Sequence, residues 1–111
     1  TVKEYTGAPI YMDNKKTGSH EWLIEFEREP FDLALFQITF DNSLKNLNSD
    51  YEAKRTNDYI ISFPKFTILP SGTFYAWLDN KGKLGGQNKI PRLTNNRIVI
   101  DDIKTFHSTR H

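Results

Sequence analysis

Cysteine is absent from the 111 residues, and there is almost no excess of charge of one sign. Without cysteine the chain can form neither a disulfide nor a thiolate metal site. Fifteen basic and fourteen acidic side chains leave a formal charge of +1. A balance this close to neutral excludes a general electrostatic attraction to nucleic acid or to anionic membranes. We therefore expect no nucleic-acid partner.

Long apolar runs and the usual motifs of phosphate and metal binding are missing too. No run approaches the roughly 18 residues that span a bilayer, and no signal-peptide pattern occurs. We expect a cytoplasmic protein without a membrane partner. The spacings G-x-x-x-x-G-K-[ST] and G-x-G-x-x-G are absent, so any phosphate chemistry must use side-chain charge. The histidines at 20, 107 and 111 do not form a ligand pair, and we expect no metal site.

The first part of the chain predicts two strands of one domain. β-Forming residues indicate a strand over Val2–Met12, and clean alternation indicates a second over His20–Glu27. Trp22, Ile24 and Phe26 share one face of the second strand, and Glu21, Glu25 and Glu27 share the other. This pattern predicts an antiparallel hairpin with a solvated face that carries the glutamates. Chain length allows one domain with a real core.

The rest of the chain predicts helices and one more extended segment. Apolar residues from Leu33 at three- and four-residue steps favour a helix of about 17 residues, although Phe36, Ile38 and Phe40 also fit a strand. The further expectations are a short surface helix to Arg55 capped by Ser49 or Asp50, extended segments at Tyr59–Ser62 and Lys65–Leu69, a helix over Phe74–Asn80 ended by Gly82, and a last helix over Ile98–Phe106. We expect Phe63 and Phe66 on a buried sheet face. The resulting fold class is α+β, a small mixed or antiparallel sheet with helices packed on it, in the order β-β-α-β-α-loop-α.

The segment Gly82–Arg92 is the most distinctive stretch of the chain. Its three glycines permit sharp bending at its start, and Pro91 stiffens its end. Lys89 and Arg92 stand on the stiff part. Such a segment suits delivery of a positive charge to an anion, although most segments of this glycine and lysine composition are solvated turns.

Four blocks of residues resemble one protein family in the same order. They are His20–Phe26, Leu47–Arg55, Gly72–Tyr75 and Gly82–Leu93. Together they closely resemble the C-terminal domain of the auxin-responsive-promoter family of acyl-acid amido synthetases, in a bacterial-type branch of that family. The resemblance implies membership of the adenylate-forming superfamily. The resemblance extends from about Glu4 to Asp102.

This resemblance implies a two-step reaction in a longer protein. A carboxylic acid and ATP form an acyl-adenylate, and an amine, usually an amino acid, then attacks it to give an amide. A large N-terminal domain, absent from this chain, would hold ATP, the expected Mg²⁺ and the acid. The small C-terminal domain, here residues 1–111, would rotate over that site as a mobile lid and supply a lysine. We expect the chain to be a fragment that is inactive alone, and its start at Thr1 without an initiator methionine agrees with this.

Two lysines compete for the catalytic role that the resemblance implies. Lys89 lies in a segment similar to the Gln-x-Lys-Val-Pro-Arg of plant members, which lack a lysine at the position of Lys83, so Lys89 is favoured. Lys83 follows a glycine, as the catalytic lysine does in many acyl-CoA synthetases. Loop support or adenylate contact would come from Gly85, Gly86, Gln87 and Arg92.

Two other functions stay open at this point. A non-catalytic interaction module could retain the same fold. Single-strand nucleic-acid binding on the sheet is the third hypothesis, and the near-neutral charge disfavours it.

Overall fold

The computed structural model describes residues 1–11, 17–56, 61–82 and 90–110. Three strands and four helices follow one another along the chain. They are β1 (Val2–Tyr11), β2 (Thr17–Phe26), α1 (Leu33–Leu47), α2 (Ser49–Arg55), β3 (Lys65–Leu69), α3 (Thr73–Asn80) and α4 (Ile98–Arg110). The predicted α+β class is confirmed. The segment predicted to be extended at 59–62 lies partly outside the described residues, and Ile61 and Ser62 belong to no strand.

The sheet is mixed, with the strand order β1-β2-β3. β1 pairs with β2 antiparallel, and β2 pairs with β3 parallel. The central strand β2 is therefore covered at both edges by other strands. Helices cover both of its faces as well, which makes the domain a three-layer arrangement with β2 in the middle.

One face of the sheet packs against α1. Trp22, Ile24 and Phe26 are buried there, as the alternation predicted, and Phe36 and Phe40 of α1 lie over them. The rings of Trp22 and Phe40 are 5.0 Å apart, and so are those of Phe26 and Phe36. The ambiguity between helix and strand for this segment is settled in favour of the helix, because its four-residue spacing fits the aromatic face of β2.

The opposite face packs against α3 and α4, and here the prediction of a solvated face was wrong. Leu23 is fully buried against a core formed by Ala8, Leu69, Phe74, Trp77, Ile90, Ile100 and Ile103. Glu21 and Glu25 share this face and are each only 1% exposed. Alternation placed them correctly on one face, but it could not show that two distant helices cover that face. Glu27 follows the strand and is exposed.

Buried Glu25 provides the N-terminal cap of α3. The helix begins after Gly72, which has a positive φ of 93° and no side chain to cap it. Glu25 accepts hydrogen bonds from the backbone N–H groups of Gly72 at 3.0 Å and of Phe74 at 2.9 Å. A carboxylate at this end also complements the helix dipole. At the other end Gly82, with a φ of 68°, terminates the helix as predicted.

The short helix α2 differs from the prediction in its cap and in one side chain. Asn48 is the N-cap, because its extended backbone aims its side chain at the N–H of Tyr51, 3.1 Å away. The predicted caps, Ser49 and Asp50, already belong to the first turn. The exposed ion pair Lys54–Asp50 forms as expected, with 3.1 Å between Nζ and Oδ2.

The charged residues around Arg55 predicted that its side chain lies on the surface of α2, and this prediction was wrong. Its side chain is 5% exposed and makes a two-pronged contact with buried Asp41 of α1. Nε lies 3.0 Å from Oδ1 and Nη2 lies 2.6 Å from Oδ2. The hydroxyl of Tyr51 donates to the same carboxylate at 2.6 Å.

Phe63, predicted to be buried, is 41% exposed because it precedes β3, whereas Phe66 packs on the α1 face as expected.

Candidate functional site

The glycine-rich segment lies between the end of α3 and a stretch that returns to the sheet. Lys83, Gly85, Gly86, Gln87 and Lys89 all lie outside the described residues, so their predicted roles stay predictions. Both ends of the segment, Gly82 and residues 90–92, are described. Gly82 follows α3 directly, and Ile90 is 6% exposed in the core between the sheet, α3 and α4.

Residues 90–94 run along the outer edge of β1. Gly7 donates its N–H to the carbonyl of Arg92 at 2.9 Å, and the N–H of Thr94 donates to the carbonyl of Gly7 at 3.0 Å. Gly7 and Leu93 thus form a parallel bridge. The hydroxyl of Thr6 donates to the carbonyl of Pro91. The segment after the loop therefore extends the sheet beyond its β1 edge.

Glycine is required at position 7 by close packing. A Cβ atom there would lie 2.4–2.5 Å from carbons of the Trp22 ring, well inside van der Waals contact. The indole of Trp22 passes under Gly7, and this allows the backbone of β1 to keep its place between β2 and residues 92–94.

Arg92 is the one predicted site residue that the described part of the chain contains, and it is held against β1. Its Nη1 contacts Oε1 of Glu4 and donates to the carbonyl of Tyr5 at 3.1 Å. Its guanidinium carbon lies 4.5 Å from the centre of the Tyr5 ring, a cation–π contact. Both roles predicted for Arg92, loop support and contact with an adenylate, stay predictions.

The partner of Arg92 was not found by sequence reasoning. No motif in the sequence around Glu4 marks this residue as a partner of Arg92, and 88 positions separate the two. The direction of the segment was not apparent either. Because residues 90–94 run parallel to β1, Ile90 lies toward the end of the sheet where β1 begins and β2 ends.

A second polar cluster surrounds Glu21 on the face that α4 covers. Its carboxylate accepts hydrogen bonds from Arg97 at 2.7 Å, Thr67 at 2.7 Å and Lys104 at 2.9 Å. Burial works to raise the pKa of Glu21, but the hydrogen bonds from these three groups outweigh it and lower the pKa to about 2. Because Arg97 also donates to the carbonyl of Pro9 at 2.9 Å, the cluster fastens α4 to both β1 and β2.

This cluster predicts a specific loss of stability in acid. The pKa of Glu21 is lower when folded than the usual 4.5, so its contribution is present above pH 4.5 and is lost as the pH falls toward 2. We expect that contribution to be on the order of 2 kcal/mol, once solvent screening of its partners is allowed for. Urea unfolding at pH 7, 4.5 and 3 should show Glu21→Gln least stable relative to wild type at pH 7, with the difference shrinking in acid. Exposed Glu27→Gln is the control, and a difference for Glu21→Gln that does not change with pH would contradict this assignment.

Within residues 1–11, 17–56, 61–82 and 90–110, no three His, Asp or Glu side chains are grouped so that they could hold a metal ion. None of the helices formed by those residues is long and apolar enough to cross a membrane.

The fold and the contacts of residues 90–94 define a small α+β domain whose sheet is extended at the β1 edge by the residues that follow the glycines in the sequence. The chain belongs to the GH3 family: the model of the GH3 family C-terminal domain matches residues 1–98. This confirms the predicted family, and the bacterial-type branch stays a prediction. No curated protein matches the chain.

A solved structure shares the fold. The chain is similar to the GH3.15 acyl acid amido synthetase with a TM-score of 0.64 and 19% sequence identity. The similarity covers 95% of this chain and 19% of that one. The chain thus spans about a fifth of the length of the synthetase that it matches.

Proposed function

We propose that this chain is the C-terminal domain of an ATP-dependent acyl-acid–amine ligase that works through an acyl-adenylate. The observation that carries the proposal is the match of residues 1–98 to the GH3 family C-terminal domain, which includes the whole glycine-rich segment. The shared fold with a protein named as an acyl acid amido synthetase supports it. The partner of the domain is then the N-terminal domain of the same polypeptide, in the cytoplasm.

The chemistry of adenylation explains why a separate domain would carry a lysine. A carboxylate oxygen must approach the anionic α-phosphate of ATP, and negative charge accumulates on the oxygens that meet. An ammonium group placed at that point offsets the repulsion where it is largest, so it stabilises the transition state more than the bound substrates. A domain that closes over the site can bring this group and exclude water after the substrates have entered.

The proposal assigns a role to each part of the glycine-rich segment. Lys89 supplies the ammonium, with Lys83 as its rival. Gly85, Gly86, Gln87 and Arg92 contact the adenylate or support the loop. ATP and Mg²⁺ bind mainly to the N-terminal domain, which also binds the carboxylic acid and the amino acid.

Pyrophosphate release tests this function directly. The full-length protein is expected to release pyrophosphate from ATP only when a suitable carboxylic acid is present, and to form an amide when an amino acid is added. The 111-residue chain alone is expected to release none, because ATP and the acid bind elsewhere. A panel of carboxylic acids would be assayed with both proteins at equal concentration. A full-length protein that binds partners but releases no pyrophosphate with any acid would favour the interaction module instead.

A further inference from the structure

The carboxylate of Glu4 has a backbone partner as well as Arg92. Its Oε1 accepts a hydrogen bond from the N–H of Tyr5 at 3.1 Å and also contacts the guanidinium of Arg92. Its side chain is about one quarter exposed. An N–H that fixes a carboxylate rotamer reduces the freedom that an exposed glutamate would otherwise have. Glu4 therefore offers Arg92 a fixed acceptor at the edge of β1.

Tyr5 connects this pair to the core of the domain. Arg92 lies over its ring, and the ring itself packs 6.1 Å from Trp22 and 5.7 Å from Phe40. Those two side chains belong to β2 and α1. The guanidinium is thus held between the carboxylate of Glu4 and an aromatic ring that rests on the core.

Three hydrogen bonds with the same part of β1 hold the backbone of residues 91–94. Thr6 donates to the carbonyl of Pro91, and Gly7 exchanges hydrogen bonds with Arg92 and Thr94. Four consecutive residues of β1, from Glu4 to Gly7, each contact the segment. Ile90 is buried beside it. The chain that follows the glycine-rich loop is therefore attached at successive points.

We propose that Glu4 is a positioning residue for adenylation, acting through Arg92 to hold residues 90–94 on β1 and so to fix the chain that follows Lys89. The proposal rests on the proposed function, because it requires that a lysine of this loop serves adenylation. Displacement of a catalytic group by about 1 Å can cost on the order of 10²-fold in rate. A partly exposed ion pair contributes little to overall stability. Loss of Glu4 should therefore slow adenylation without unfolding the domain.

The positioning itself is measured on the 111-residue chain, without any activity. In Glu4→Gln the amides of Gly7 and Thr94 should exchange with solvent about tenfold faster than in wild type, because both donate across the junction that the pair closes. The amide of Tyr51 on α2 is the internal reference, and its exchange should not change. The matched control variant is Asp50→Asn, which breaks an exposed ion pair on α2 instead.

The catalytic consequence is measured in the full-length protein. Glu4→Gln and Arg92→Gln should each lower the rate of acid-dependent pyrophosphate exchange about tenfold with the KM for ATP unchanged. Amide formation from a supplied acyl-adenylate should stay within about twofold of wild type. A merely structural role would lower the rates of both steps together, so the difference between the two steps separates positioning from a loss of fold.

Two results would overturn the proposal. One is unchanged amide exchange in Glu4→Gln, and the other is amide exchange that accelerates while pyrophosphate exchange stays at the wild-type rate. A wild-type full-length protein without acid-dependent activity would instead contradict the proposed function. The two failures are therefore distinguishable.

Discussion

Lys89→Ala in the full-length protein is expected to slow acyl-adenylate formation by roughly 10²–10³-fold, the scale of losing one preorganised electrostatic contact. The ammonium acts only as the acid meets the α-phosphate, so the binding of ATP should change little. Amide formation from a supplied acyl-adenylate should suffer less, because the carbonyl is already activated. Pyrophosphate-exchange rates, with ATP affinity measured separately, check this prediction.

Two variants serve as controls for Lys89→Ala. Lys83 lies in the same glycine-rich segment, and Lys83→Ala should have a milder effect on acyl-adenylate formation. Lys89→Arg should restore little activity, because a planar guanidinium cannot replace a compact ammonium. A large loss in Lys83→Ala with none in Lys89→Ala would reverse the assignment of the two lysines and leave the domain assignment intact.

The local pattern predicted the faces of β2 but not what covers them. Alternation separates Trp22 from Glu21 wherever the strand lies, since successive side chains point to opposite faces. Whether a face meets water depends on elements far along the chain. Arg97 and Lys104, which neutralise Glu21, lie more than seventy residues away. As long as such partners are unknown, a charged side chain on a strand predicts that its face of the sheet is exposed to solvent.

The candidate site was predictable only in part, for the same reason. Pro91 indicated a stiff segment after the glycines, and that property is local. The attachment of the segment to Glu4 and Gly7 depends on a register between positions more than eighty residues apart. Asp41 and Arg55 illustrate the same limit. Each occurs in a helix beside polar residues, and only the packing of α2 against α1 brings them together.

Asp41→Ala is expected to lower the free energy of unfolding by about 3–5 kcal/mol, the usual cost of removing one partner from a buried ion pair. Arg55 would lose its two-pronged contact with the Asp41 carboxylate and keep the carbonyl of Ile61, 3.3 Å from its Nη1, and the hydroxyl of Tyr51 would lose its acceptor. Small domains have total stabilities of only about 5–15 kcal/mol, so this is a large fraction. Urea unfolding of the 111-residue chain, followed by tryptophan fluorescence, measures the loss.

The controls separate the cost of a stranded charge from the net contribution of the pair. Asp50→Ala, which breaks the exposed pair with Lys54, should change the free energy of unfolding by no more than about 0.5 kcal/mol. Asp41→Leu combined with Arg55→Met should recover part of what Asp41→Ala loses, because neither charge is then buried, whereas the contact from the hydroxyl of Tyr51 to Asp41 stays lost. If Asp41→Ala costs less than about 1 kcal/mol, the buried contact does not hold α1 to α2. If the double replacement is as unstable as Asp41→Ala, the ion pair itself stabilises the fold, and its burial is more than compensated by its hydrogen bonds.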